Sequence, residues 1–160
     1  MVADAALRKG VDRDDLLDRT ASGRGCRMAM RALRFADARS ESAGESLSRV
    51  RIHNLGLPAP DLQRTLYDDR GHFIARVDFW WEEFRLAGEF DGMVKYGANL
   101  PRGQTPAMVI AQEKQREQQI MATRKFVVRW GWENLWKPGL DLLIRNMMVP
   151  GQRPDVENQP

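Results

Sequence analysis

At 160 residues, 42% hydrophobic and 29% charged, the chain has the balance of one ordinary globular domain with a core and a short extra piece. No apolar run approaches the roughly 18 residues needed to span a bilayer, and Met1-Val2-Ala3-Asp4 lacks the basic and apolar regions of a secretion signal, so a cytoplasmic protein without a membrane partner is expected. Cys26 is the lone cysteine, which excludes an internal disulfide or a cysteine metal cage, and a net charge of +3 permits nucleic-acid binding without demanding it.

Taken in order, residues 3–22 carry two short helical patterns broken at Gly10, with Asp12 or Asp14 as the cap of the second. They are too few and too polar to fold alone, so residues 1–39 read as an arm or the remnant of a longer parent. A stronger helix is predicted over Gly23–Ala36. Cys26, Met30 and Leu33 line one face, and Arg24, Arg27, Arg31 and Arg34 recur on another, either as a solvated face or as a stripe suited to DNA phosphates. Ser42-Ala43-Gly44-Glu45 fits a capping box, Leu47, Val50 and Leu55 form the apolar face of the helix it opens, and Gly56, Pro58 and Pro60 end it.

Leu62–Tyr67 reads as a strand and Asp68-Asp69-Arg70-Gly71 as a hairpin turn. Phe73–Trp80 alternates with the period of a second strand, the chain turns near Trp81-Glu82-Glu83, and a third strand follows through Asp91. Parity matters here. If Trp80 pairs with Arg85, Asp78 lies opposite Ala87 and diagonal to Glu89. A register two residues further along places Asp78 directly opposite Glu89. Either way Asp78, Glu89 and Asp91 share one side of the sheet, whereas a shift of one residue splits them.

A loop over residues 92–104 leads to a helix opened by Thr105-Pro106 and running to about Arg124, then a short strand around Phe126-Val127-Val128 and the Trp130-Gly131-Trp132 segment. Beyond Lys137-Pro138-Gly139, residues 140–148 form an amphipathic helix that offers a homodimer surface, and residues 150–160 read as a disordered tail. The resulting architecture is α/β: three antiparallel strands, a crossover helix and a fourth strand make a mixed four-stranded sheet in an α/β/α core, with extra N- and C-terminal helices. The boundaries are an arm at 1–39, a core at 40–132, a C-terminal helix at 133–149 and the tail.

Three carboxylates on one side of a sheet repel unless a proton, a basic partner or a divalent cation neutralises them. Hard oxygen donors suit Mg²⁺ or Mn²⁺, which also bind phosphate oxygens and activate water. Asp78, Glu89 and Asp91 are the candidate metal ligands. Lys95 in the loop and Lys114 on the following helix are the candidate lysines beside a scissile phosphate. His53 and His72 lack metal-ligand spacing.

Asp78, ten residues, then Glu89-Phe90-Asp91 resembles the PD-(D/E)xK nuclease superfamily, and more narrowly the endonuclease-like domains related to the very-short-patch repair endonuclease. Ser42-x-x-Glu45, Arg76-Val77-Asp78-Phe79, Gly88-Glu89-Phe90-Asp91-Gly92, Glu113-x-x-Arg116 and Val127-Val128-Arg129-Trp130 carry the resemblance over residues 40–132. The stretch Glu41–Val50 looks especially like actinobacterial members, in which such a domain follows a winged helix of the AbiEi antitoxin type. The resemblance implies a restriction-endonuclease-like fold and a metal-dependent endonuclease acting on DNA phosphodiesters. Asp78 and Glu89 would hold Mg²⁺, Asp91 and Glu45 would assist, and Lys95 would act at the phosphate; Arg27, Arg31, Lys114 and Arg116 are the weaker DNA-contact candidates. Asp91 stands where the superfamily's lysine is expected. That departure supports the alternative, an inactive DNA-binding or antitoxin-type module, for which a partner toxin is implied.

Overall fold

The computed structural model describes residues 1–92, 105–123 and 125–148. It divides into two compact units, Met1–Val50 and Arg51–Pro160, with the boundary inside one helix.

The first unit is helical: α1 (Val2–Arg8), α2 (Arg13–Thr20), α3 (Cys26–Phe35) and the start of α4 (Ala43–Asn54). Asp12 caps α2 by accepting from the N–H groups of Asp14 and Asp15. Arg13 closes the far end of α3, donating to the carbonyls of Leu33, Arg34 and Ala36, which a helix end leaves without partners. At the start of α4, Ser42 Oγ accepts from Glu45 N–H as a capping box requires, and the Glu45 carboxylate reaches back to Glu41 N–H at 2.8 Å.

These short, polar helices are joined through an ionic centre. Apart from Ala36, the buried side chains of the unit are polar: Asp4, Ser40, Glu45, Ser46 and Ser48. The Asp4 carboxylate accepts from Asp37 N–H at 2.7 Å and from Arg49 Nη1 at 3.0 Å. Arg49 also donates to Phe35 O at 2.6 Å and lies 4.7 Å from the centre of the Phe35 ring. Burial pushes the Asp4 carboxyl up. Hydrogen bonds from the terminal amine, Asp37 and Ser46 outweigh that and hold it below its ordinary value of 3.8. A depressed folded-state pKa stabilises the fold above the unfolded pKa and loses that contribution as pH falls through the folded value. Asp4→Asn is therefore expected to lower unfolding free energy by about 2 kcal/mol at neutral pH, less than a fully stranded partner because Arg49 keeps Phe35 O. Urea titrations should show the difference between wild type and variant shrinking as pH falls below the ordinary carboxylate range.

The second unit is built on β1 (Asp61–Tyr67), β2 (Phe73–Trp81), β3 (Leu86–Asp91) and β4 (Phe126–Gly131), ordered β1-β2-β3-β4 in one sheet. The first three strands are antiparallel neighbours and β4 runs parallel to β3, giving the mixed four-stranded sheet expected. Helix α5 (Pro106–Ala122) makes the crossover that a parallel pair requires and lies against β2 and β4. The hairpin turn forms as read: Asp68 Oδ1 accepts from Arg70 and His72 N–H, and Gly71 takes φ +81°. The β2–β3 turn is a single 3-10 turn, Glu82–Phe84, closed by Arg85 at φ +48°.

Trp80, Ala87 and Ile120, with Leu66, Ala75 and Val77, form one buried cluster. Phe79 and Trp130, both almost fully buried, stack at 5.2 Å. Past β4 the chain departs from expectation. Trp132–Trp136 forms a helix, α6, because Asn134 Oδ1 accepts from Gly131 N–H at 2.9 Å and starts it. The last helix, α7, covers only Leu140–Arg145 rather than 140–148. Leu140 and Ile144 of α7 are fully buried and the helix lies against β4, while Leu142 is 60% exposed. Among the described residues no helix is long and apolar enough to cross a membrane.

Candidate nucleic-acid interface

The β2–β3 register pairs Phe79 with Gly88, Trp80 with Ala87 and Trp81 with Leu86. This is the further of the two registers considered, and its continuation sets Asp78 across from Glu89. The ladder stops at Phe79 and Gly88. Beyond it the Asp78 carboxylate takes the place of a main-chain acceptor, with Oδ2 accepting from Phe90 N–H at 2.9 Å. Gln63 at φ +54° interrupts β1 opposite Asp78 and donates to Oδ1 at 3.4 Å. Asp78 thus joins three strands where their ladders loosen.

Glu89 is buried and clamped. Arg116 Nη2, from α5, donates to both carboxylate oxygens at 2.8 and 2.9 Å. Arg129 Nε, from the register-matched position of β4, donates to Oε2 at 2.9 Å. The two arginine side chains stay 38% and 33% exposed around a neutralised acid, although Arg116 Nε and Arg129 Nη2 are themselves buried.

Asp91 ends β3 and is exposed. With Arg129, Trp130, Gly131, Trp132, Glu133 and Asn134 it lines a groove of about 400 Å³ at the carboxyl ends of the parallel pair. That is where open α/β sheets commonly receive ligands. Trp132 stands at one wall, edge-on to Phe90 at 5.1 Å.

The predicted site residues fall in both units. Asp78, Glu89 and Asp91 share one side of the sheet by alternation. Glu45 belongs to the other unit, where it caps α4. Lys95 lies outside the described residues. Lys114 is exposed on α5, and Arg27 and Arg31 are exposed on α3. Arg116, read from sequence as a partner of Glu113 or of DNA, reaches Glu89. Among the described residues no group of three or more His, Cys, Asp or Glu side chains is arranged to hold a metal ion. As arranged, guanidinium groups compete with any cation for the Glu89 lone pairs, and Phe90 N–H takes one Asp78 oxygen.

The chain is similar to two mycobacterial proteins. Uncharacterized protein MT2308 of Mycobacterium tuberculosis strain CDC 1551 / Oshkosh and uncharacterized protein Rv2248 of strain H37Rv are each 40% identical to it over 94 residues, 56% of this chain and 34% of theirs. The chain thus spans about a third of the length of the curated relatives it matches. No family model and no solved structure matches it.

Two residues of this surface escaped the sequence reading: Arg129 as a partner of Glu89, and Gln63 as a neighbour of Asp78. The signal for Arg129 was present. Gly88-Glu89-Phe90 and Val128-Arg129-Trp130 are adjacent strands with opposite charges at the same pleat position, a cross-strand pair once the parallel register is drawn.

Proposed function

We propose that the second unit is a DNA-binding module on a nuclease-like sheet, in which Glu89 orients Arg116 and Arg129 toward phosphate instead of holding a metal. The observation that carries this reading is the Glu89 clamp itself: both oxygens accept from the guanidinium groups of two arginines whose side chains are about a third exposed. Arginine held by a carboxylate is preorganised for phosphate, since less side-chain freedom is lost on binding. The cutting alternative, a Mg²⁺- or Mn²⁺-dependent endonuclease, rests on the same-side placement of Asp78, Glu89 and Asp91.

One experiment separates them. The full chain is incubated with a labelled duplex in EDTA, and with supercoiled plasmid in Mg²⁺ or Mn²⁺. Binding in EDTA without nicking in either metal is the expected result. Nicking that disappears in Asp78→Ala and Glu89→Ala replaces this reading with the endonuclease, and absence of duplex binding sinks it.

A further inference from the structure

We propose that α3 of the first unit is a second contact surface, taking the phosphodiester backbone of duplex DNA along Arg27, Arg31 and Arg34. The proposal rests on the DNA-binding reading of the sheet unit and adds a separate site to it.

The segment from Ala21 to Ala36 carries four arginines, Arg24, Arg27, Arg31 and Arg34, and no acid. All four are exposed. At 100° per residue Arg27, Arg31 and Arg34 fall within about 60° of one another around the helix. They extend about 10 Å along its axis, a length over which one strand of a duplex carries roughly three phosphates.

The helix tolerates this stripe at a cost. Arg27 and Arg31 are like charges at i,i+4, and Arg31 and Arg34 at i,i+3, each pair destabilising by a few tenths of a kcal/mol. The first turn holds Arg27 and no acid, against the helix dipole, and Gly25 supplies no side-chain cap. Helix α2, which packs on α3, exposes Asp14, Asp15 and Asp18. Yet among the described residues no ion pair joins any acid to Arg24, Arg27, Arg31 or Arg34. A polyanion relieves the repulsion that the isolated helix carries.

Nucleic acid fits better than an anionic bilayer. A membrane-surface helix needs a free apolar face. Here Cys26, Ala29, Met30 and Leu33 are half-buried within the unit, which leaves Met28 as the one large apolar side chain of α3 that is strongly exposed.

The test is fluorescence anisotropy of the full chain on a labelled duplex across about 50 to 200 mM salt, comparing wild type with R27A/R31A. Loss of two phosphate contacts should make the slope of log affinity against log salt shallower by about 1.8. The melting temperature should not fall, since like charges are removed. A wild-type chain that binds duplex while R27A/R31A binds equally well with the same slope sinks this inference alone. A wild-type chain that binds no duplex sinks the sheet-unit reading with it. Unchanged duplex binding together with lost binding to phosphatidylglycerol vesicles overturns the proposal in favour of a lipid surface.

Discussion

Gly88→Ala is expected to destabilise the sheet unit by about 3 kcal/mol, lowering the melting temperature by roughly 10 °C. A Cβ at this position meets Trp130 Cη2 at 2.6 Å, Trp130 Cζ3 at 2.9 Å and Trp81 Cζ3 at 2.9 Å. Real Cβ atoms essentially never approach so closely, so a ring or the strand must move. Neither indole has room to yield. Trp130 is 2% exposed and stacks on Phe79, and Trp81 is 3% exposed with its Nε1 donating to Pro58 O at 2.7 Å. Strand β3 is flanked on both sides, by β2 and β4, so it cannot shift without breaking a ladder. Trp130→Phe removes the atoms that clash. Its combination with Gly88→Ala should therefore cost clearly less than the sum of the two single changes, a coupling that a double-mutant cycle reads directly. Additive losses would mean that the strain lies elsewhere.

That glycine shows how much of the fold was legible and where legibility stopped. The strands and their alternation could be read because residues 73–81 and 86–91 carry period 2, and the hairpin because Asp68 and Gly71 have turn chemistry. Gly88 was read only as part of an acid-bearing motif. Its demand comes from Trp130, forty-two residues later, through a parallel register that pairs Gly88 with Val128. Periodicity is local and cannot supply such a contact. The first unit was harder for a different reason. Helix patterns are found through apolar stripes, and α1 and α2 are held instead by Asp4, Arg13 and Arg49, whose partners are main-chain atoms and one another. A polar sequence of that kind looks like an arm until its hydrogen bonds are traced.

The candidate site was legible in placement, and less so in the partners of its acids. Parity put Asp78, Glu89 and Asp91 on one side of the sheet, and the register agrees. Parity says nothing about what neutralises them. The sequence leaves a cation, a proton or a basic partner open and does not name the partner. The structure uses Arg116 and Arg129 for Glu89, and the Phe90 N–H with Gln63 for Asp78.

Substitution of Glu89 turns that difference into a sign. Removing the buried carboxylate leaves two guanidinium groups facing each other without their anion, a loss of 3–5 kcal/mol for fully buried pairs. Both arginines are about a third exposed, so water recovers part of it, and Glu89→Ala is expected to cost about 2–3 kcal/mol. Glu89→Gln keeps one acceptor and costs less. In the DNA-binding reading Glu89 holds both guanidinium groups where phosphate meets them, so Glu89→Gln, which gives up part of that ordering, should bind duplex about tenfold more weakly. An endonuclease that needs Glu89 only for its metal predicts lost cleavage with duplex binding in EDTA unchanged. Anisotropy titrations in EDTA, alongside a thermal melt, decide the matter: weaker binding by a variant that is still folded requires that Glu89 orders the arginines for phosphate, whereas unchanged or tighter binding removes the reason to assign it that role.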